Sequence, residues 1–223
     1  MRTLVFMALP LLSSGAVIGC RTARMAAPPD IANASEVLTV SDRSAWHGSF
    51  INEGFTLGNY KVVDVDRRLT STTGIGFGPW AKEKTTAGFS YALAAGGKKL
   101  LGKCSSVASS QAVGGFSWGH VKIACTCDGE AGKGELVIID GARSMKVGDQ
   151  EYRLEPINAA EGGATLSNPT GFRADGDVPL GAVEVMHPGQ VWLKKGLDDA
   201  TRATTTCTFV GLMLYRPPSD VPH

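Results

Sequence analysis

From Val37 onward, apolar and polar positions alternate in short runs that end at turn residues. Phe55 and Leu57, then Tyr60, Val62 and Val65, predict strands reaching Leu69. Phe89, Tyr91 and Leu93 alternate cleanly, Gly96-Gly97 supplies a hairpin turn, and the returning strand runs from Lys99 to about Val107. Val121, Ile123, Cys125 and Cys127 share one parity, while His120, Lys122, Thr126 and Asp128 take the other. DGEAGKGE then turns the chain into Leu136-Val137-Ile138-Ile139, apolar on both faces and expected centrally in a sheet. Met145 and Val147 pair across Gly148-Asp149 with Tyr152 and Leu154. Asp175-Gly176 joins Phe172 to Leu180, Val183 and Val185, and Pro188-Gly189 turns into Val191-Trp192-Leu193. Turn signals about every 8–12 residues predict an all-β chain, an antiparallel barrel or a β-sandwich.

Three stretches break this rhythm. TSTTGIGFGPWAKEKTT, after Leu69, reads as a Gly- and Thr-rich loop or irregular strand, and SSQAVGGFSWG reads as a loop. The last segment, LDDATRATTTCTFVGLMLYRPP, is ambiguous. Asp198 is a candidate N-cap and Pro217 a candidate stop for a helix. TTTCTFV is β-branched, and its local propensity favours a strand.

The chain opens MRTLVFMALPLLSSGAVIGC, with a basic start, a short apolar run from Leu4 to Leu12 and then small residues. These are the three regions of a secretory signal peptide, and the run is too short to span a bilayer. Val17-Ile18-Gly19-Cys20 resembles the lipobox of bacterial lipoproteins. That resemblance implies cleavage before Cys20 and acylation of its thiol and new amine, so residues 1–19 are a lipoprotein signal peptide. Arg21 stands where the family's inner-membrane retention signal would be an Asp, which implies the outer membrane of the bacterial envelope. Residues 20–36 lack periodicity, contain Pro28-Pro29, and are expected to be a flexible, lipid-anchored tether. Residues 37–223 then form a single β-rich domain.

A second resemblance covers roughly residues 50 to 217. Gly58-Asn59-Tyr60-Lys61-Val62-Val63-Asp64-Val65, Gly88-Phe89-Ser90-Tyr91-Ala92-Leu93, the cysteines of the following strands, Gly181-Ala182-Val183-Glu184-Val185, Val191-Trp192 and the closing Leu212-Met213-Leu214-Tyr215 carry it. The pattern is similar to uncharacterised lipoproteins with the tubby-like fold of phospholipid scramblases and LURP-one proteins. The resemblance implies a twelve-stranded antiparallel barrel around a hydrophobic C-terminal helix. The last segment is accordingly expected as a buried helix from about Asp199 to Tyr215, apolar nearly all round near its end. Its threonines are compatible with that, since each hydroxyl can bond the carbonyl one turn back. The basic lipid pocket of tubby proteins finds no match here, so that function is not carried over.

Charge narrows the partners. Removing the leader with its Arg2 leaves as many basic residues as the 21 acidic ones, and without a basic cluster no nucleic acid is expected. Apart from Cys20 the chain has four cysteines, Cys104, Cys125, Cys127 and Cys207. An exported protein meets an oxidising space, where disulfides form. Leu100, Gly102 and Cys104 share one face, and Cys125 and Cys127 face inward on a neighbouring strand, so Cys104 is expected to pair with one of them, Cys125 preferred.

Chemical motifs are few. Gly115-Phe116-Ser117-Trp118-Gly119 fits the G-x-S-x-G elbow of α/β-hydrolases, with Asp175 or Asp177 and His187 following in the right order. The elbow needs a strand before Ser117 and a helix after it, whereas HVKIACTC alternates as a strand. His120 lies on the face opposite Cys125 and Cys127, so the three do not form a local metal site. GEAGKGE lacks the frame of a phosphate loop and reads as a turn. Asp64 and Asp66 read as a solvated face, and Trp80 reads as a core residue. No catalytic residue, metal or cofactor is expected. The expectation is a non-catalytic, lipid-anchored envelope protein that binds an envelope protein or lipid or plays a structural part, the alternative being a serine hydrolase using Ser117.

Overall fold

The computed structural model describes residues 23–43, 53–78, 80–113, 116–139 and 141–216. A short helix α1 (Pro29–Ala34) leads into twelve strands and a closing helix. The strands are β1 (Ser35–Ser41), β2 (Phe55–Leu57), β3 (Tyr60–Phe77), β4 (Trp80–Ala95), β5 (Lys98–Val113), β6 (Phe116–Gly129), β7 (Gly132–Ile139), β8 (Ala142–Val147), β9 (Gln150–Ile157), β10 (Gly171–Asp175), β11 (Gly181–Glu184) and β12 (Gln190–Lys194). Helix α2 (Asp199–Leu214) follows. Each strand pairs antiparallel with its neighbour in sequence, and β1 pairs with both β12 and β2, closing a barrel. The sandwich alternative is thereby set aside, since closure leaves one continuous sheet.

Alternation sorts the side chains. Phe89, Tyr91 and Leu93 of β4, Leu100 and Cys104 of β5, and Ile123, Cys125 and Cys127 of β6 all point inward into one core. The axis of that core is α2, buried from Thr204 to Leu214. Asp198 caps the helix by accepting the Thr201 amide at 2.9 Å. The β-branched run that favours a strand is helical because three of its four threonines donate to the carbonyl one turn back, while Thr204 donates to the Ala131 carbonyl of the wall at 3.4 Å. Thr205 donates to the Thr201 carbonyl at 2.7 Å, Thr206 to Arg202 at 2.8 Å and Thr208 to Thr204 at 2.9 Å. Tertiary burial outweighs a propensity difference of only a few tenths of a kcal/mol per residue.

The helix lies very close to the wall. A Cβ on Gly211 would stand 3.1 Å from the sulfurs of both Cys104 and Cys125, a tight contact that glycine avoids where the helix passes their bond. Gly102 leaves room for the Tyr91 ring, whose hydroxyl donates to the Cys207 carbonyl at 2.7 Å. Burial pushes the Tyr91 phenol well up, so it stays a donor.

One expectation is corrected. The stretch expected as a flexible tether is, from Ala23 onward, packed on the outside of the barrel. Met25 and Ile31 are buried against Ile157, Ala182 and Trp192 in a second, outer core. Glu184 at the end of β11, 0% exposed, anchors the segment. Arg24 donates to both of its oxygens at 2.8 Å, and the Met25 amide donates at 2.7 Å. The outer face of β9–β12 carries apolar residues, and the segment supplies their cover. Arg24→Ala leaves a buried carboxylate with one amide partner, and we expect a loss of about 3 kcal/mol in chemical denaturation. An unchanged midpoint would show that the clasp contributes nothing.

Candidate functional site

The candidate lipidation residue, Cys20, lies outside the described residues. The segment that follows it enters the structure at one identifiable end of the barrel. Met25 bridges to Ala160, in the connection after β9, and Arg24 binds the last residue of β11. Both lie at the end where β3 turns into β4 and β5 into β6, here called the upper end.

The four cysteines of the barrel and its helix are all engaged. Cys104 and Cys125 are direct register partners on β5 and β6 and form a disulfide, the preferred pairing. Cys127 bonds Cys207, tying the wall to α2. Local parity identifies Cys127 as inward-facing, but its partner lies 80 residues away. With all four in disulfides, none is a free thiolate ligand, and among the described residues no group of three His, Cys, Asp or Glu side chains is placed to hold a metal.

Ser117 sits within β6, its Cα paired with Ala112, and the chain continues as strand to Gly129. No helix follows it, so the backbone is a hairpin and not an elbow. The other two residues of the chain-order triad lie elsewhere. Asp175 ends β10 at the lower end of the barrel, and Asp177 follows it there. His187 lies in the β11–β12 connection at the upper end, its Nε2 3.3 Å from the Arg43 carbonyl. Asp64 is an exposed residue at a β-bulge, where it pairs with Lys99 at 2.7 Å.

Two further features have no counterpart in the sequence-based expectations. At the upper mouth three arginines gather around the C-terminus of α2, whose last carbonyls have no helical partners. Arg43 donates to the Met213 carbonyl at 2.6 Å and the Pro188 carbonyl at 2.9 Å, and Arg67 donates to Leu214 at 2.9 Å. Glu53 pairs with Arg67 at 2.7 Å and with Arg216 at 3.3 Å. Burial, with Arg216 and Arg67 nearby, brings the Arg43 guanidinium down to about 10, so it remains charged near neutrality. The cluster closes the mouth and complements the helix dipole.

The second feature is larger. Strands β3 to β6 have 18, 16, 16 and 14 residues, whereas β7 has 8 and β12 has 5. Past the last pair between β6 and β7, Lys122 with Ile139, the four long strands continue as a free-standing sheet. This blade is made from two stretches: TSTTGIGFGPWAKEKTT, expected as a loop or irregular strand, takes the strand alternative, and SSQAVGGFSWG, expected as a loop, is corrected to strand over its described residues. Register pairs Phe77 with Trp80, Trp80 with Val113 and Val113 with Phe116 across its tip. Ile75 with Lys82, and Thr73 with Lys84, form the next rows on that face. The opposite face carries Gly74, Gly76, Ala81 and Thr72, and Thr72 meets Thr85 at 3.1 Å between hydroxyls.

Trp80, expected in the core, is 40% exposed on the blade, and Phe77 is 80% exposed. Among the described residues no second layer covers either face of the blade, which is why a tryptophan there has no core to enter. Ile75 and Leu69 are likewise exposed on β3. Such a concentration of large apolar side chains in water marks an interaction surface. Two turn signals, Gly78-Pro79 between Phe77 and Trp80 and Gly114-Gly115 between Val113 and Phe116, were the available hint of paired hairpins. Comparison with known proteins returns no matching family model, no matching curated protein and no matching solved structure.

Proposed function

We propose that this protein is a lipid-anchored component of the bacterial cell envelope, acylated at Cys20, held at the outer membrane, and working by binding rather than catalysis. Its barrel is a rigid stand and its blade the presented surface. The closed twelve-stranded barrel around a C-terminal helix has the architecture that the tubby-like resemblance implies, which supports that membership. The observation that carries the reading is the blade itself: an exposed apolar tip on a disulfide-braced scaffold, at the end where the N-terminal segment is clasped.

The anchor has a direct test. Mass spectrometry of the native protein should find a mature N-terminus at Cys20 carrying acyl chains. Cys20→Ser should accumulate as an uncleaved, non-lipidated precursor. A native protein with an unmodified N-terminus at another residue removes the anchor and the envelope assignment with it.

A further inference from the structure

We infer that the tip of the blade is a second membrane contact, with Phe77, Trp80 and Ile75 entering the interfacial layer of an anionic phospholipid bilayer and Lys82 and Lys84 facing its headgroups. The orientation rests on the lipid-anchor reading; the chemistry of the tip does not. Two lengths set the geometry. From Cys20 to the clasped Arg24 there are four residues, which reach at most about 14 Å when fully extended. From Ser71 to Phe77 the blade runs seven residues beyond the rim, about 23 Å of strand. Both leave the upper end of the barrel. A lipid seated in the bilayer therefore cannot hold the barrel far enough away for an upright blade to clear the surface. With the barrel tilted toward its anchored side, lipid and tip reach the same plane.

The residues at the tip suit that plane. Trp settles at the headgroup level, where its apolar ring is buried while its N–H stays near water, and Phe adds a wholly apolar ring to bury beside it. Lys82 and Lys84 stand one and two rows behind Trp80 on the same face, at the depth of lipid phosphates. Their attraction to an anionic surface adds to the burial of the apolar side chains and is screened by salt. Glu83 lies between them in sequence but on the opposite face, so it does not cancel their charge at the bilayer.

The test uses two forms of the protein. One is the native lipidated protein in vesicles of phosphatidylethanolamine and phosphatidylglycerol containing brominated lipid, a short-range quencher of indole fluorescence. Because Trp118 of β6 also lies along the blade, in register with Gln111, the comparison uses a Trp118→Phe background, in which Trp80→Phe should remove most of the quenchable emission. The other is the unlipidated chain from Arg21 on, which contains the barrel, the helix and the clasp, first shown to melt cooperatively. It should co-sediment with anionic vesicles, less with neutral ones, and less as salt rises. Phe77→Ala with Trp80→Ala should lower that affinity by about tenfold or more with the melt unchanged.

Vesicle binding indifferent to those two substitutions overturns the inference, as does an unquenched Trp80 in the lipidated protein. A photocrosslinker placed at residue 77 that captures an envelope protein or the blade of a second copy, and no lipid, overturns it too. If the N-terminus proves unlipidated while tip-dependent vesicle binding persists, the anchor reading fails and the membrane contact stands. Lipidation at Cys20 without tip binding separates the two in the other direction.

Discussion

A chain ending at Leu197 should not fold cooperatively. Helix α2 fills the barrel, and Thr204 to Leu214 are all buried. Full burial of a large aliphatic or aromatic side chain contributes about 1.5–3 kcal/mol. Phe209, Val210, Leu212, Met213 and Leu214 together therefore supply on the order of 10 kcal/mol, comparable with the whole stability of a typical domain. Without the helix the inward faces of β4 to β7 would line a void too large for the strands to collapse upon. Far-ultraviolet circular dichroism during heating is the measurement. A truncated chain that melts in one sharp transition, with an unchanged β-rich spectrum, would show that the wall stands without its axis.

The second large effect is expected from the bond between wall and helix. Replacing Cys127 and Cys207 together by alanine should lower stability by about 4 kcal/mol, against about 3 kcal/mol for Cys104 with Cys125. The difference follows from the chain each bond closes. Cys127 and Cys207 are 80 residues apart, whereas Cys104 and Cys125 are 21 apart. The longer loop removes more freedom from the unfolded chain. The Cys127–Cys207 bond also holds α2 against β6 at the point where Tyr91 donates to the helix backbone. Urea denaturation of the two double variants reads the order directly. If the Cys104–Cys125 variant proves the less stable, the loop argument fails and native packing beside Gly211 matters more than chain entropy.

The rest of the molecule divides by the range of the interactions that specify it. Alternation has a period of two residues and is written locally, so the inward faces of β4, β5 and β6 are legible from Phe89, Tyr91, Cys104, Cys125 and Cys127 alone. Turns are local as well, and Gly96-Gly97 and Gly148-Asp149 mark their hairpins where the structure has them. The pairing of Cys104 with Cys125 follows from strand facing and hairpin position together. The cap at Asp198 is equally local, since a carboxylate needs only the amide three residues on.

What the sequence by itself determined, then, is the strand succession of the barrel wall from Phe55 onward, the inward facing of β4, β5 and β6 within that wall and the cap at Asp198, because each depends on neighbours within a turn. Tertiary structure decided the remainder. Closure requires β1 to meet β12, a contact such as Ser35 with Lys194 whose partners are distant in the chain and carry no local mark. TTTCTFV became helix because the barrel interior accepts an apolar cylinder whose own backbone is satisfied, which a lone strand there would not be. Met25 and Ile31 look like tether residues until the outer face of β11 and β12 offers Ala182 and Trp192 to cover. The blade was hardest to read. A two-sided exposed sheet has no buried face to impose alternation, so its sequence looks like a loop and its tryptophan like a core residue. Only the long registers of β3 to β6 lift Phe77 and Trp80 clear of the barrel and into water.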